Sequence, residues 1–269
     1  MDTFAKYILE EKKLGSKMEI VYYLAKKEKI FFDKTVILKT ELLRMFLNYI
    51  DLEVDENMLL TASLLASCKK IEISDDLEKV KAFSKEGAKY LYELGFDEKF
   101  CNICEGINRY TKKEAREKES DVLELVEQFG GMIIDRPERI GMKPDEALVI
   151  LEHRNLKNEY NRYLQSFIDF INDLEKMKIK QDKERTPIEL LTKLYKEIKN
   201  EKNYITAVIY EYEPLVDKVI CEAKEESCKV SQNHQELEKG NPNRSLFSEE
   251  TTKKIIGNLI EKNEKKEGI

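Results

Sequence analysis

The stretch over residues 122–131 constrains the fold more than any other part of the chain. Its apolar residues recur at helical spacing, which predicts an amphipathic helix packed on a core. These residues are Val122, Leu123, Leu125, Val126 and Phe129. Gly130 and Gly131 follow directly, and two glycines inside a helix cost roughly 2 kcal/mol relative to alanine. We therefore expect close helix packing or a kink at this point.

Proline and glycine are scarce in the whole chain, with five and ten among 269 residues. Such a chain builds long helices easily, and the alternation that marks strands is nearly absent. The predicted fold class is therefore all-α. The expected helices are divided near Gly15–Ser16 at the start and then follow one another over 34–50, 55–71, 75–94, 97–109, 158–179 and from 187 onwards.

Local signals predict several helix starts. Asp55 is expected to act as an N-cap, and Thr186, Pro187 and Glu189 form a capping box with proline at the first helical position. Pro144 is expected to begin a further helix. The charged run over 112–120 has one apolar residue and is predicted to be a solvated face or loop.

Composition and charge limit the classes of partner. The chain is 41% hydrophobic and 37% charged, with a net charge of −6, so it is expected to be a soluble globular protein. An acidic chain without a basic stripe argues against nucleic acid as a partner. No apolar run approaches a membrane span, and the N-terminus does not resemble a signal peptide. An odd number of scattered cysteines fits the reducing cytoplasm, so a cytoplasmic location is predicted.

The predicted organisation has a central helical domain with appendages on both sides. A charged hinge near 181–185 and a polar stretch with Gly240 and Pro242 mark its boundaries. The expected parts are an N-terminal helical extension over 1–30, the central domain over 31–180, a C-terminal helical region over 185–230, a linker over 231–247 and a terminal helix over 248–269.

The segments over 135–139 (DRPER) and 143–148 (KPDEAL) resemble the closing block of the HD phosphohydrolases, above all the HD-GYP branch. That block carries a metal-binding aspartate on a helix, then D-R-P-x-R, then a helix that begins S-P-E-E-A-L. By this register Glu127 occupies the place of the last metal aspartate. Gly130 replaces a second aspartate.

Upstream segments resemble the same family with the metal ligands replaced. Residues 64–70 (LLASCKK) match the signature L-L-H-D-I-G-K, so that Ala66 and Ser67 replace histidine and aspartate while the final lysine is retained as Lys70. Residues 83–87 (FSKEG) match the frame H-P-x-x-G, with Phe83 in the place of the histidine.

The remaining family positions are also changed. The paired histidines that precede the GYP loop correspond to Ile107–Asn108, and the loop itself is missing. The first family histidine corresponds to Thr35 or Val36. The resemblance covers roughly residues 34–175 and implies a degenerate HD-like domain over 31–180, that is, an HD-domain-like helical bundle with extra N- and C-terminal helices.

In the family, histidine and aspartate side chains surround one to three divalent metals, which activate a bridging water and polarise the phosphate. The vestigial metal-site positions of this chain hold Ala66, Ser67, Phe83, Asn108 and Glu127. His153 and His234, the two histidines of the chain, lie outside the site register. The resemblance therefore implies a pseudoenzyme with no catalytic residues, no metal and no cofactor.

The predicted function is that of a non-catalytic HD-like regulatory or scaffolding protein, which acts through a protein partner or by self-association. One alternative is a receptor that binds a nucleotide, such as a cyclic dinucleotide, through Lys70, Arg136 and Arg139 without hydrolysing it. Against this, the arginines could pair with Asp135 and nearby carboxylates while Lys70 is solvated. Another alternative is a metal-dependent phosphohydrolase with a rebuilt site.

Cys101 and Cys104 lie three residues apart in a predicted helix. This spacing is found in redox pairs and in halves of zinc sites, but zinc needs two further ligands. Cys221 and Cys228 are seven residues apart, an unusual spacing for the second half. The favoured interpretation is two small buried side chains on one helical face.

Overall fold

The computed structural model of the protein describes most of its first two hundred residues and a short stretch beyond them. The described residues are 4–32, 34–52, 54–70, 77–108, 116–136, 139–157, 161–177, 185–198, 208 and 213–222. The predicted linker over 231–247 and the terminal helix over 248–269 lie outside them.

Within these ranges the secondary structure is helical apart from one isolated bridge between Arg136 and Arg139. The helices are α1 (Phe4–Glu10), α2 (Leu14–Glu28), α3 (Lys34–Tyr49), α4 (Glu56–Leu65), α5 (Leu77–Glu93), α6 (Glu98–Gly106), α7 (Lys118–Ile133), α8 (Pro144–Lys157), α9 (Leu164–Lys176), α10 (Pro187–Ile198) and α11 (213–222). The all-α prediction is confirmed. In this part of the chain no helix combines the length and the apolar character that crossing a bilayer requires.

Helix α3 lies at the centre of the packing and contacts α4, α7, α9 and α10. The aromatic rings of Phe46, Phe129, Phe167 and Phe170 meet where α3, α7 and α9 come together, and the Phe46 and Phe167 ring centroids are 5.0 Å apart. All four side chains are buried. The stripe that the sequence showed at residues 122–129 is therefore the surface through which α7 joins this core.

The helix starts that local signals predicted are confirmed. The Asp55 carboxylate accepts a 3.0 Å hydrogen bond from the backbone N–H of Met58 at the start of α4. The Thr186 hydroxyl accepts from the N–H of Glu189 while the Glu189 carboxylate accepts from the N–H of Thr186. These reciprocal bonds satisfy N–H groups that a helix start leaves without a partner. Pro144 is the first residue of α8, as expected.

Three other expectations were wrong. The break between the first helices lies at residues 11–13, so Gly15 and Ser16 belong to the first turn of α2. Helix α4 ends at Leu65, because the following turn brings the N–H of Cys68 to the carbonyl of Leu65. In the charged run over 112–120, residues 112–115 lie outside the described residues, and the expectation fails at the other end, where Glu119 and Ser120 are buried in the first turn of α7.

The short helix α1 is held to the bundle by a buried lysine. The Lys17 ammonium has no exposed surface and donates to the carbonyl of Ile8 and to the Thr61 hydroxyl. Asn57 donates to the carbonyl of Leu9. The last carbonyls of α1, which a helix leaves without internal partners, thus bind side chains of α2 and α4. Burial lowers the pKa of Lys17 to about 8.

Candidate functional site

Glu127 on α7 lies between two lysines. Its Oε2 atom is 2.7 Å from the Lys39 ammonium, which comes from α3, and its Oε1 atom is 2.8 Å from the Lys70 ammonium, which follows α4. The side chains are 16%, 5% and 24% exposed for Glu127, Lys39 and Lys70. Three charged groups from separate parts of the chain therefore meet in a largely water-excluded place. We call this group the Lys39–Glu127–Lys70 triad.

Gly130 makes room for the triad. A Cβ atom at Gly130 would lie 2.7 Å from Cγ of Lys39, close to the root of that side chain. The Lys39 stem therefore passes over the surface of α7 where Gly130 has no side chain, and its ammonium reaches Glu127 almost one turn earlier. Close helix packing, one of the two expected reasons for the glycine pair, is confirmed here.

The two ammonium groups determine the protonation of Glu127. Burial by itself would raise the pKa of the carboxyl group. The charges of Lys39 and Lys70, and the hydrogen bonds that both donate, outweigh burial and hold the pKa at about 2. Glu127 is therefore ionised at any physiological pH, and both of its oxygens already accept charge-assisted hydrogen bonds.

Several of the other positions that the resemblance aligns with metal ligands lie around the triad. The Phe83 ring is buried, and its centroid is 5.7 Å from the Lys70 ammonium, within the range of a cation–π contact. Ala66 is buried at the end of α4, where its carbonyl faces Gly87 of α5. Ser67 is buried as well and accepts a backbone hydrogen bond from Lys70. Helices α4, α5 and α7 thus converge on Lys70.

Asn108 has a different role. It is buried at the end of α6 and donates a 2.7 Å hydrogen bond from its amide to the carbonyl of Lys81 on α5. This bond ties α6 to α5, which also pack closely along their lengths.

The residues of this place do not fit a catalytic metal centre. Divalent metals of the HD type need several imidazole and carboxylate ligands, whereas the converging positions offer one carboxylate, already bound by two ammonium groups. The two ammonium groups beside the carboxylate also repel a metal cation. Among the described residues no group of three or more histidine, cysteine, aspartate or glutamate side chains has an arrangement that could hold a metal ion.

The two arginines named with Lys70 as ligand-binding candidates lie beyond the end of α7. Arg139 donates to the carbonyls of Gly131 and Met132, the latter at 2.8 Å, so it binds groups that the helix end leaves without partners. Arg136 pairs with Arg139 through the backbone, and its guanidinium lies near Gly131. Ligand binding by the three residues stays a prediction.

Lys39 is the site residue that sequence reasoning missed. It shares a helical face with Leu42, Leu43 and Phe46, at spacings of three, four and seven residues. A lysine in such an apolar stripe is a usable signal, because a buried ammonium needs hydrogen-bond acceptors, of which a carboxylate is the strongest. The partner, however, lies 88 residues along the chain, and a single sequence does not reveal that pairing.

The cysteine pair is buried, as favoured from the sequence. Cys101 and Cys104 lie on the core side of α6, and both thiols are free. Burial raises the pKa of Cys101 to about 11 and that of Cys104 well above its usual range. Such thiols are poor nucleophiles and poor metal ligands.

Neither protein-family models, nor curated proteins, nor solved structures gave a match to this chain.

Proposed function

We propose that this protein is a non-catalytic, HD-like regulatory or scaffolding protein that acts through contacts with a protein partner or with a second copy of itself. The observation that carries the proposal is the Lys39–Glu127–Lys70 triad. The carboxylate at the position of a family metal ligand is bound by two lysines of the same chain, at 2.7 and 2.8 Å. The place that a metal would need is occupied by fixed positive charge.

The neighbourhood of the triad supports the same proposal. Phe83 packs an aromatic ring where the family has a histidine, and Ala66 leaves no polar group at its position. Helix α5 approaches the end of α4 closely, since a Cβ atom at Gly87 would lie 3.4 Å from the carbonyl of Ala66. These contacts support a proposal in which no metal binds at the triad and the protein acts through the surface of the bundle.

The nucleotide-receptor alternative gains less support. To bind a phosphate group, Lys70 would have to leave Glu127, and Arg139 would have to leave the carbonyls at the end of α7. Each exchange would break a hydrogen bond to a charged group, and such a bond contributes about 1.5–3 kcal/mol.

Metal analysis and turnover measurements test the non-catalytic part of the proposal. We expect the purified full-length chain to contain less than stoichiometric manganese, iron and zinc, and to show no phosphodiesterase turnover when these metals are added. An active HD phosphohydrolase assayed in parallel is the control. Turnover that a chelator abolishes would contradict the proposal.

Partner capture tests the remaining part. The full-length chain is used as bait in extract from its native cells, and an unrelated acidic helical protein is the control bait. Sedimentation of the purified chain over a concentration series tests self-association. We expect a stoichiometric partner or a concentration-dependent dimer. If neither result is obtained, and a nucleotide raises the melting temperature of the wild type but not that of Lys70→Ala, the nucleotide-receptor alternative is favoured instead.

A further inference from the structure

A second charged cluster, away from the triad, joins the last described helix to the core. Arg44 on α3 donates from Nε to the Glu41 carboxylate at 2.8 Å, from Nη1 to the Asp217 carboxylate, and from Nη2 to the carbonyl of Glu213. Asp217 and Glu213 belong to α11. One guanidinium therefore holds α11 by two contacts and binds a carboxylate of its own helix.

Helix α11 makes two further contacts with the bundle. Glu213 lies beside Gly15, in the first turn of α2, and both residues line the same cavity. Val216 and Val219 are buried in the common core. Helix α11 is thus held by a small apolar contact together with a few polar bonds, and most of those bonds involve charge.

Glu41 is the unusual member of the cluster. Its side chain has no exposed surface, and its Oε1 atom has no hydrogen-bond partner among the described residues. A buried carboxylate is stable as an anion only when its oxygens are well paired. The geometry supplies one pairing, with Arg44, and Arg44 is shared with α11.

The charges around Glu41 make its ionisation unfavourable. Glu41, Glu213 and Asp217 are three acidic groups around one guanidinium. A cavity of about 360 Å³ beside Arg44 and Glu213 is lined by further charged groups from the other elements, namely Lys12, Lys13, Glu19 and Glu56. The pKa of Glu41 is raised to about 7, chiefly by burial and in smaller part by Glu213 and Asp217, against the charge and hydrogen bond of Arg44.

We propose that α11 is a proton-controlled strap, which closes on α2 and α3 while Glu41 carries a proton and loosens when Glu41 becomes an anion. With Glu41 neutral, the charge of Arg44 is available to Asp217 and to the Glu213 carbonyl. With Glu41 ionised, it competes for Arg44 and repels both acidic groups of α11. Loosening of the strap opens the wall that Glu213 contributes to the cavity.

The direction of the pH dependence follows from the linkage between proton binding by Glu41 and closure of α11. The pKa of Glu41 in the closed state, about 7, lies above the ordinary value of 4.5. Proton binding to Glu41 therefore favours closure fully below pH 4.5, and this effect is lost as the pH rises through 7. If opening returns Glu41 to its ordinary pKa, the closing equilibrium weakens about tenfold between pH 6 and pH 8, because one pKa unit corresponds to a factor of ten.

Hydrogen–deuterium exchange of the full-length chain tests the strap. Exchange is measured at pH 6 and pH 8 and corrected for the intrinsic effect of pH, with amides of α7 as the internal reference. We expect the protection of residues 213–222 to fall about tenfold in the wild type and to stay constant in Glu41→Gln. Glu19→Gln, which changes an exposed carboxylate at the same cavity, is expected to behave as the wild type does.

Equal protection of the wild type at both pH values would overturn the proposal, and so would an unchanged pH response in Glu41→Gln. If Glu41→Gln loses protection in α7 as well, it has failed to fold, and Asp217→Asn decides instead. That variant removes one contact of Arg44 with α11, so we expect lower protection of 213–222 at pH 6 and a smaller pH response than in the wild type. Wild-type protection in Asp217→Asn would also overturn the strap.

Discussion

Glu127 and Glu41 are both largely shielded from water, and both pair with a cation on α3, yet their protonation shifts in opposite directions. Two ammonium groups flank Glu127, and its pKa is held at about 2. Glu41 has one guanidinium, which it shares with Asp217, and its pKa rises to about 7. Burial raises the pKa of both carboxyl groups. The comparison teaches that the local ratio of positive to negative groups, rather than burial, decides which of them is charged.

Replacement of Glu127 by glutamine should have the largest effect. It leaves Lys39 and Lys70 close together without an anion, and breaking a buried ion pair in this way costs roughly 3–5 kcal/mol. We expect that loss in the free energy of unfolding at pH 7, measured by urea denaturation. Because the pKa of Glu127 is depressed, its stabilisation is present above pH 4.5 and is lost as the pH falls towards 2. The variant should lack this acid-dependent loss, and a cost below about 1 kcal/mol would show that the triad is not a paired unit.

Replacement of Glu41 by glutamine should change stability in the other direction. Because the pKa of Glu41 is raised, the stability that Glu41 contributes is fully present below pH 4.5 and is lost as the pH rises through 7. A glutamine amide stays neutral, so it is not destabilised by ionisation as the pH rises. Relative to the wild type, the variant should gain about 2 kcal/mol between pH 5 and pH 8, measured by urea denaturation at both values. A difference that does not vary with pH would mean that Glu41 is ionised throughout.

The neighbouring glycines of α7 offer a matched pair of variants. A methyl group at Gly130 meets the root of the Lys39 side chain at 2.7 Å, whereas one at Gly131 lies 3.1 Å from the far end of the Arg136 side chain. We expect Gly130→Ala to destabilise by about 1–2 kcal/mol, because the strain exceeds the gain in helix propensity. Gly131→Ala should be neutral or slightly stabilising. Thermal denaturation of the two variants measures the difference. Equal changes in melting temperature would mean that the Lys39 side chain does not pass over Gly130.

Replacement of Lys70 by methionine should have the smallest effect. Lys70 is the most exposed member of the triad, and Lys39 still pairs with Glu127 when it is absent. We expect a loss of about 1 kcal/mol, which decreases at high salt because salt screens the partly exposed Lys70 ammonium. A loss as large as that of Glu127→Gln would make Lys70 the dominant partner of the carboxylate.

Local signals predicted the helix starts, and long-range contacts explain the errors. Asp55, Pro144 and Thr186 act within one helical turn, so their patterns are visible in a short stretch of sequence. The end of α4 depends on the turn after Leu65, beside which α5 packs at Gly87. No short stretch of sequence contains that contact.

The site was predictable in part for the same reason. The resemblance to the HD proteins singled out Glu127 and predicted that the residues aligned with the other metal ligands would not hold a metal. The actual partners of Glu127 include Lys39, whose ammonium reaches the carboxylate because Gly130 has no side chain. A glycine pair in a helix predicts a close approach without saying which residue approaches. The raised pKa of Glu41 was equally impossible to predict from the sequence, because it depends on Arg44 and on α11, which lies far along the chain.

The buried amine of Lys17 has a practical consequence for experiments on this protein. Amine-reactive reagents modify lysines in proportion to their exposure to the reagent, and Lys17 has none while α1, α2 and α4 stay together. Its acylation should therefore report the rate at which the bundle opens. Peptide mapping of a timed labelling series would measure this opening rate without any engineered probe.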